Sequence, residues 1–199
     1  MFGRSVRATP DEAERPLPGD ELIAQPIGSL VHAVTIQRPL RDVWPWLAQM
    51  GAGTRAGWYS YDFLDNGGRP SAERIVPELQ ELSVSMIFPA LPGMTDGFTL
   101  LAFERDRFLI LGWRSPDGAL LMTWAFVLQE AENRATRLIV RARAGRGYQF
   151  HRLPWWLGKR VVALVHFMMQ RKQLLGIARL AESAPASVQR GPLGNRGAA

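Results

Sequence analysis

The chain has 199 residues and a mass of 22.2 kDa, which suits one domain of ordinary size. Because 47% of the residues are hydrophobic, global disorder is excluded, and the lack of cysteine excludes disulfides, thiol nucleophiles and thiolate-bound metal sites. The histidines, His32, His151 and His166, have no partner at helical metal-site spacing. We therefore expect neither a metal nor a cofactor, and we assign no role to His151.

Charge is unevenly distributed along the chain. From residue 134 onward there are 13 Arg or Lys against a single acid, Glu182, whereas residues 1–133 have 11 bases and 17 acids. Such asymmetry is typical of contact with an anionic membrane or nucleic acid, but the solvated faces of a strand and a helix would produce it too. Because no recognised nucleic-acid motif accompanies the basic residues, nucleic acid is the less favoured of the two partners. An anionic membrane surface stays open.

Two features of the sequence, its terminal segments and its longest apolar run, predict where in the cell the protein lies and where its domain begins and ends. Residues 1–26 lack an apolar signal region, and the apolar run 153–169 is interrupted by Lys159 and Arg160. We therefore expect a soluble, cytoplasmic protein. Residues 1–20 and 184–199 are rich in Pro, Gly or charge and are predicted to be flexible, leaving a single domain over 21–183.

The first half of the domain predicts one strand and two short helices. A β-leaning run covers residues 31–37, and Pro39 then stands where a helix can begin. Apolar residues at helical spacing continue that helix, which Pro45 should shorten or bend. The aromatic-rich stretch 56–66 is interpreted as a second short helix, followed by a long loop to about residue 82.

The second half predicts an antiparallel sheet and one long helix. Strand-like runs with short connectors cover 98–103, 108–113, 119–128 and 136–143. Residues 154–183 carry an apolar stripe at helical spacing. This order predicts an α+β fold in which a curved antiparallel sheet wraps around the C-terminal helix. The space between them is the natural ligand site.

Several short segments of the sequence are similar to segments of a known protein family. They are Val-Trp-Pro-Trp-Leu-Ala-Gln-Met-Gly at 43–51, Arg-Ala-Gly-Trp-Tyr-Ser-Tyr-Asp at 55–62, Thr-Trp-Ala-Phe-Val-Leu at 123–128 and Phe-Met-Met-Gln-Arg-Lys-Gln-Leu-Leu-Gly-Ile at 167–177. With the element order, they resemble a bacterial branch of the START/polyketide cyclase-like (SRPBCC) superfamily. The resemblance implies a helix-grip fold with an internal cavity. Members of the superfamily bind lipids, sterols, polyketides or plant hormones, and some cyclise or dehydrate polyketides, so fold alone does not fix function.

Aromatic and sulfur side chains are the candidates for ligand contact. The second helix should present rings that stack on a flat apolar ligand, and alternation along 119–128 places Leu120, Met122, Trp124, Phe126 and Leu128 on the face toward the long helix. The last helix adds adaptable sulfur and one histidine. Simple core packing is the alternative for each of them. The candidate ligand-binding residues are Trp58, Tyr59, Tyr61, Met122, Trp124, His166 and Met169.

Three hypotheses about function follow. The leading one is binding of a hydrophobic small molecule (a lipid, an isoprenoid or an aromatic, polyketide-like compound) in the cavity. The second is a cyclase or dehydratase-type enzyme, for which His166, Asp62 and Tyr61 are the acid/base candidates. The third is a peripheral interaction protein that binds a membrane or nucleic acid through the basic C-terminal third. There, Arg137, Arg141 and Arg143 share one strand face, which is either an anion-binding row or a solvated outer row.

Overall fold

The computed structural model describes residues 4–148 and 155–185, so His151 and most of the predicted C-terminal tail lie outside the described residues. Six strands form one antiparallel sheet in the order β1-β6-β5-β4-β3-β2. The strands are β1 (Gly28–Ile36), β2 (Ile87–Pro89), β3 (Gly97–Glu104), β4 (Phe108–Arg114), β5 (Leu120–Ala131) and β6 (Ala135–Ala144). The four runs predicted as a meander are β3 to β6, and the short edge strand β2 is additional.

Four α-helices accompany the sheet within the described residues: α1 (Pro10–Glu14), α2 (Leu40–Ala48), α3 (Asp62–Asp65) and α4 (Trp155–Ser183). The long helix α4 packs chiefly against β1 and α2. The sheet curves around it, which confirms the α+β helix-grip architecture expected from the sequence. Short 3-10 turns lie at Asp20–Ile23, Pro77–Leu79 and Glu132–Arg134.

The main core lies between the concave face of the sheet and α4. Trp124, Phe126 and Leu128 of β5 pack there with Leu174 and Ile177 of α4, as the alternation along this strand predicts. A bulge between Leu120 and Met122, opposite the end of β4, interrupts the alternation. Residues of α2 belong to the same core, which therefore lies next to that helix.

The N-terminal segment differs from the flexible arm expected for residues 1–20. Near Val6, which packs in the main core, the segment pairs with the edge of β1: Ala33 N donates to the main-chain oxygen of Val6, and Arg7 forms an antiparallel bridge with His32. The segment then crosses the outer side of the sheet, where Leu17 packs on Ala33 and Ile139. Helix α1 begins with a capping box between Thr9 and Glu12. The apolar content of this segment does not predict that it folds onto the sheet, because charged contacts hold much of it in place.

Those charged contacts correct the interpretation of the arginine row on β6. Glu12 receives two hydrogen bonds from Arg137, at 2.7 and 2.8 Å. Arg141, only 4% exposed, donates to Asp20 and to the carbonyls of Glu12, Ala13 and Arg15, and Arg143 lies 2.8 Å from the other oxygen of Asp20. The row is neither solvated nor free for an anionic partner, because the acidic segment 10–20 covers it.

Candidate functional site

A cavity of about 200 Å³ lies between the sheet and α4, beyond the end of the main core. Its apolar lining comes from the loop after α2, from the sheet and from α4: Trp58, Ala90, Phe98, Met122, Trp124 and Met169. Its polar lining consists of Ser60, Asp65, Tyr148, His166, Gln170 and Gln173. Apolar walls with a few polar groups are typical of small-molecule sites.

One wall of the cavity is a cluster of aromatic rings. Trp58 and Trp124 stack with centroids 5.4 Å apart, and Phe98 meets the Trp58 ring edge-on at 5.6 Å. The indole Nε1 of Trp58 donates to the main-chain oxygen of Pro89 at 3.1 Å. Because each ring is held by neighbouring rings or by a hydrogen bond, the wall is preorganised rather than adaptable.

A chain of hydrogen bonds joins this wall to α4. Trp124 Nε1 donates to Gln170 Oε1 at 3.0 Å, and Gln170 Nε2 donates to Gln173 Oε1 at 2.7 Å. Gln173 Nε2 in turn donates to the main-chain oxygen of Trp58 at 3.0 Å. Both glutamines are buried, and the chain satisfies their polar groups while fixing the spacing between sheet, helix and loop.

Asp65, at the end of α3, is the most unusual polar group of the cavity. It is 6% exposed, and among the described residues neither carboxylate oxygen has a hydrogen-bond partner. The neighbouring Ser60 hydroxyl, which lowers the pKa somewhat, donates instead to the main-chain oxygen of Met169. Burial, followed by repulsion from Asp62, raises the pKa of Asp65 to about 6.

His166 brings a second titratable group to the cavity. Its ring lies 5.6 Å from that of His32 on β1, and Nδ1 of each is buried with no partner among the described residues. Burial, and then the proximity of His32, lower the pKa of His166 to about 4, and burial also lowers the pKa of His32. Both rings are therefore neutral at pH 7, and each offers one acceptor and one N–H donor.

Five of the sequence-predicted ligand residues line the cavity: Trp58, Met122, Trp124, His166 and Met169. Three other candidates do not. Tyr59 is buried in the core, where its hydroxyl accepts a 2.6 Å hydrogen bond from Gln49 Nε2, and Tyr61 is 38% exposed. Asp62 accepts a hydrogen bond from the Ser71 hydroxyl outside the cavity.

The local backbone explains that separation and corrects the predicted helix over 56–66. Only Asp62–Asp65 is helical, because Gly57 and Tyr59 have left-handed φ values of 88° and 59°. Gly57 also passes so close to Ser71 that a Cβ atom would lie 2.8 Å from its Cα. The turns send Trp58 into the cavity and Tyr59 into the core, so the aromatic residues do not share one helical face.

Sequence reasoning missed several lining residues, and one signal was available. His166, Met169, Gln170 and Gln173 follow the i, i+3, i+4, i+7 spacing of a single helix face, so the two glutamines stand at buried positions. Polar residues in an inward-facing stripe indicate a hydrogen-bonded site. Asp65, Phe98 and Tyr148 have no comparable signal in the sequence.

A second depression, of about 490 Å³, lies between glycine- and proline-rich loops near Asn66 and Arg69. Two of its polar side chains are already engaged: Asn66 bonds to the main chain of Gly53 and Arg69, and Arg69 donates to the Gly53 oxygen. It therefore has fewer features of a binding site than the cavity.

In the part of the chain that the structure describes, no cluster of three or more His, Asp or Glu could hold a metal. Nor does any helix in the searched residues have the length and apolar character needed to cross a bilayer.

Comparison with known proteins gives distant structural likenesses. No protein-family model matches the chain, and no curated protein is significantly similar to it. Protein MLL2253 from Mesorhizobium loti is 14% identical, with a TM-score of 0.49, over 79% of this chain and 99% of its own. CalU16 from Micromonospora echinospora is 14% identical, with a TM-score of 0.43, over 77% and 81%. The BPP1335 protein from Bordetella parapertussis is 21% identical, with a TM-score of 0.42, over 92% and 86%.

Proposed function

We propose that this protein binds a compact hydrophobic small molecule, aromatic or polyketide-like in character, in the cavity between the sheet and α4. The observation that carries the proposal is the preorganised wall of Trp58, Phe98 and Trp124, which lines the cavity together with Met122 and Met169. Burial of apolar ligand surface against these rings would supply most of the binding free energy. Membership of the SRPBCC superfamily, which the helix-grip architecture supports, is part of this proposal.

The cavity volume favours one of the ligand classes that the sequence leaves open. A dry apolar cavity of about 150 Å³ is sufficient for benzene. The 200 Å³ cavity is therefore matched to a molecule of one or two rings rather than to a long-chain lipid or isoprenoid.

Native mass spectrometry of gently purified protein, followed by solvent extraction of any adduct, would identify a co-purified ligand. Titration with 2-methylnaphthalene then tests the site directly, with Met169→Trp filling the cavity and Met168→Trp as the matched control. Met168 is the next residue of α4 and is 49% exposed. We expect one equivalent to bind, with affinity lowered about tenfold or more in Met169→Trp and unchanged in Met168→Trp. Absence of saturable binding, or equal binding by both variants, would overturn the proposal.

Acid/base catalysis of the cyclase or dehydratase type is a second candidate function. It is favoured by two titratable groups in the cavity, the buried Asp65 and the half-buried His166, of which Asp65 replaces Asp62 and Tyr61 as a candidate. The Asp65 carboxylate would take a proton from carbon next to a ligand carbonyl, and the C–H electron pair would pass into the resulting enolate. Deuterium uptake by 2-tetralone in heavy water tests this, and exchange no faster with the wild type than with Asp65→Asn would count against it.

Peripheral membrane binding is the third candidate. On the outer side of α4, Leu164 is 60% exposed and Met168 is 49% exposed, close in sequence to the exposed bases Arg171 and Lys172. Such a mixed surface suits an anionic bilayer. Binding to vesicles rich in phosphatidylserine that weakens as salt rises would support it, and equal binding to neutral vesicles would count against it.

A further inference from the structure

Among the residues that the structure describes, the Asp65 carboxyl group finds none of the hydrogen-bond partners that buried polar groups normally have. It is more than nine-tenths buried, it borders a cavity whose walls are mostly apolar, and neither oxygen is bonded to any described residue. Burying an unpaired carboxylate destabilises a fold, so native proteins rarely retain one without a use for it. The arrangement therefore calls for a partner that the described residues do not provide.

The polar groups nearest in sequence are already engaged. The Ser60 hydroxyl donates to Met169, and Asp62, which could only repel Asp65, is bonded to Ser71. Across the cavity, Gln170 and Gln173 are engaged in the chain that begins at Trp124. Among the fully buried polar atoms of the described lining residues, the other one without a partner is Nδ1 of His166.

The geometry points to Asp65 as the residue that recognises the ligand: we infer that its carboxylate accepts a hydrogen bond from an O–H or N–H group on a compact aromatic molecule, with His166 as the second polar contact. The inference rests on the proposed function, because it assumes that a ligand occupies the cavity. It narrows the ligand class from hydrophobic molecules in general to aromatic molecules carrying a hydrogen-bond donor, such as phenols, enols or ring N–H compounds.

Ionisation should control this recognition. A hydrogen bond from a hydroxyl to a carboxylate is stronger than one to a neutral acid. Asp65 ionises with a pKa of about 6, whereas the pKa of His166 is about 4 and burial raises the pKa of Tyr148. His32, against His166, also has a lowered pKa. Of the described groups that line the cavity, Asp65 is therefore the one whose charge changes between about pH 5 and about pH 7.5.

Two probes of nearly equal size test the inference: 2-naphthol, which has a hydroxyl donor, and 2-methylnaphthalene, in which a methyl group replaces it. Affinities are measured by titration for the wild type, Asp65→Leu, Asp65→Asn and the control Asp62→Asn. In the wild type at about pH 7.5, we expect 2-naphthol to bind about 10- to 100-fold more tightly than 2-methylnaphthalene. The preference should shrink at about pH 5, where Asp65 is mostly protonated.

The variants distinguish a failure of the role inferred for Asp65 from a failure of the proposed function. Asp65→Leu should abolish the preference while 2-methylnaphthalene still binds, and the nearly isosteric Asp65→Asn, which keeps a neutral acceptor, should reduce it to a few-fold. Asp62→Asn should leave it unchanged at about pH 7.5. Equal affinities in the wild type, or a preference that survives in Asp65→Leu, would overturn the role of Asp65 alone. Failure of both probes to bind the wild type would instead overturn the proposed function.

Discussion

The indole Nε1 of Trp124 donates a 3.0 Å hydrogen bond to Oε1 of Gln170, which joins β5 to α4 across the floor of the cavity. The bond is the first of three, since Gln170 donates to Gln173 and Gln173 donates to the main chain of Trp58. Sheet, helix and loop are thus tied together by two glutamine side chains. The shape of the cavity depends on this chain because its aromatic wall includes both tryptophans.

Breaking the chain should cost stability. Gln170→Leu leaves the Trp124 N–H and the Gln173 side-chain oxygen buried without partners, for which we expect a loss of about 2–4 kcal/mol in the free energy of unfolding. Urea denaturation measures it as a lower midpoint. Gln37→Leu, at an exposed position, should change the free energy by less than about 0.5 kcal/mol. An unchanged midpoint for Gln170→Leu would show that the chain is not structural.

The raised pKa of Asp65 predicts a pH-dependent difference between the wild type and Asp65→Asn. The pKa rises from 3.8 to about 6, so between these values the unfolded chain has lost the Asp65 proton while the folded chain retains it. Ionisation of Asp65 therefore destabilises the wild type as pH rises through this window. A rise of about two pH units corresponds to about 3 kcal/mol.

We expect the stability of Asp65→Asn relative to the wild type to be constant below about pH 4 and to rise by about 3 kcal/mol by about pH 7. Urea midpoints measured across this range provide the comparison. A relative stability that is flat with pH would mean that Asp65 has an ordinary pKa and a partner in solution.

The ion pair between Glu12 and Arg137 predicts the opposite dependence. Its hydrogen bonds with Arg137 lower the pKa of Glu12 from 4.5, so its contribution is complete above that value and is lost as pH falls through the lowered pKa. Glu12→Gln should cost about 2 kcal/mol at about pH 7 and progressively less toward about pH 3. Glu14→Gln, an exposed position on the same helix, should have little effect at either pH. Equal stability of Glu12→Gln and the wild type at neutral pH would argue that the N-terminal segment is not anchored.

Close packing of α4 on the loop before α3 depends on Gly176. A Cβ atom there would lie 2.8 Å from the main-chain oxygen of Tyr59, closer than such contacts allow. Gly176→Ala should therefore lower the free energy of unfolding by about 1–3 kcal/mol, although alanine is the better helix former. Lys172→Ala, at an exposed position of the same helix, should be nearly neutral by the same measurement. A stabilised Gly176→Ala would mean that the helix does not approach the loop this closely.

Local patterns sufficed to predict most of the architecture. Alternation in β5, turn residues between strands and the apolar stripe of α4 are short-range signals, and they gave the four central strands and the long helix nearly to their ends. The outer covering of the sheet was not predictable in the same way. It depends on pairing Glu12 and Asp20 with arginines more than a hundred residues away, and neither partner identifies the other in sequence.

The lining of the cavity was predictable only in part, because side-chain direction follows from periodicity only in regular helices and strands. Trp124 and Met169 were found because regular periodicity fixes which way their side chains face. Tyr59 was misplaced because it lies in an irregular loop, in which a left-handed residue reverses the side-chain direction. A helical reading of that loop puts the rings on one surface, whereas its turns separate Trp58 from Tyr59.

The most direct test of ligand binding in this cavity is two-dimensional NMR of the tryptophan side-chain N–H signals during titration with 2-naphthol. Trp58 and Trp124 line the cavity, whereas Trp44 and Trp46 are buried elsewhere in the core and provide internal controls. Ring currents from a bound aromatic molecule should shift the Trp58 and Trp124 signals together along one saturable curve, with much smaller shifts for Trp44 and Trp46. Unchanged Trp58 and Trp124 signals at saturating probe, or shifts confined to other tryptophans, would contradict the proposed site.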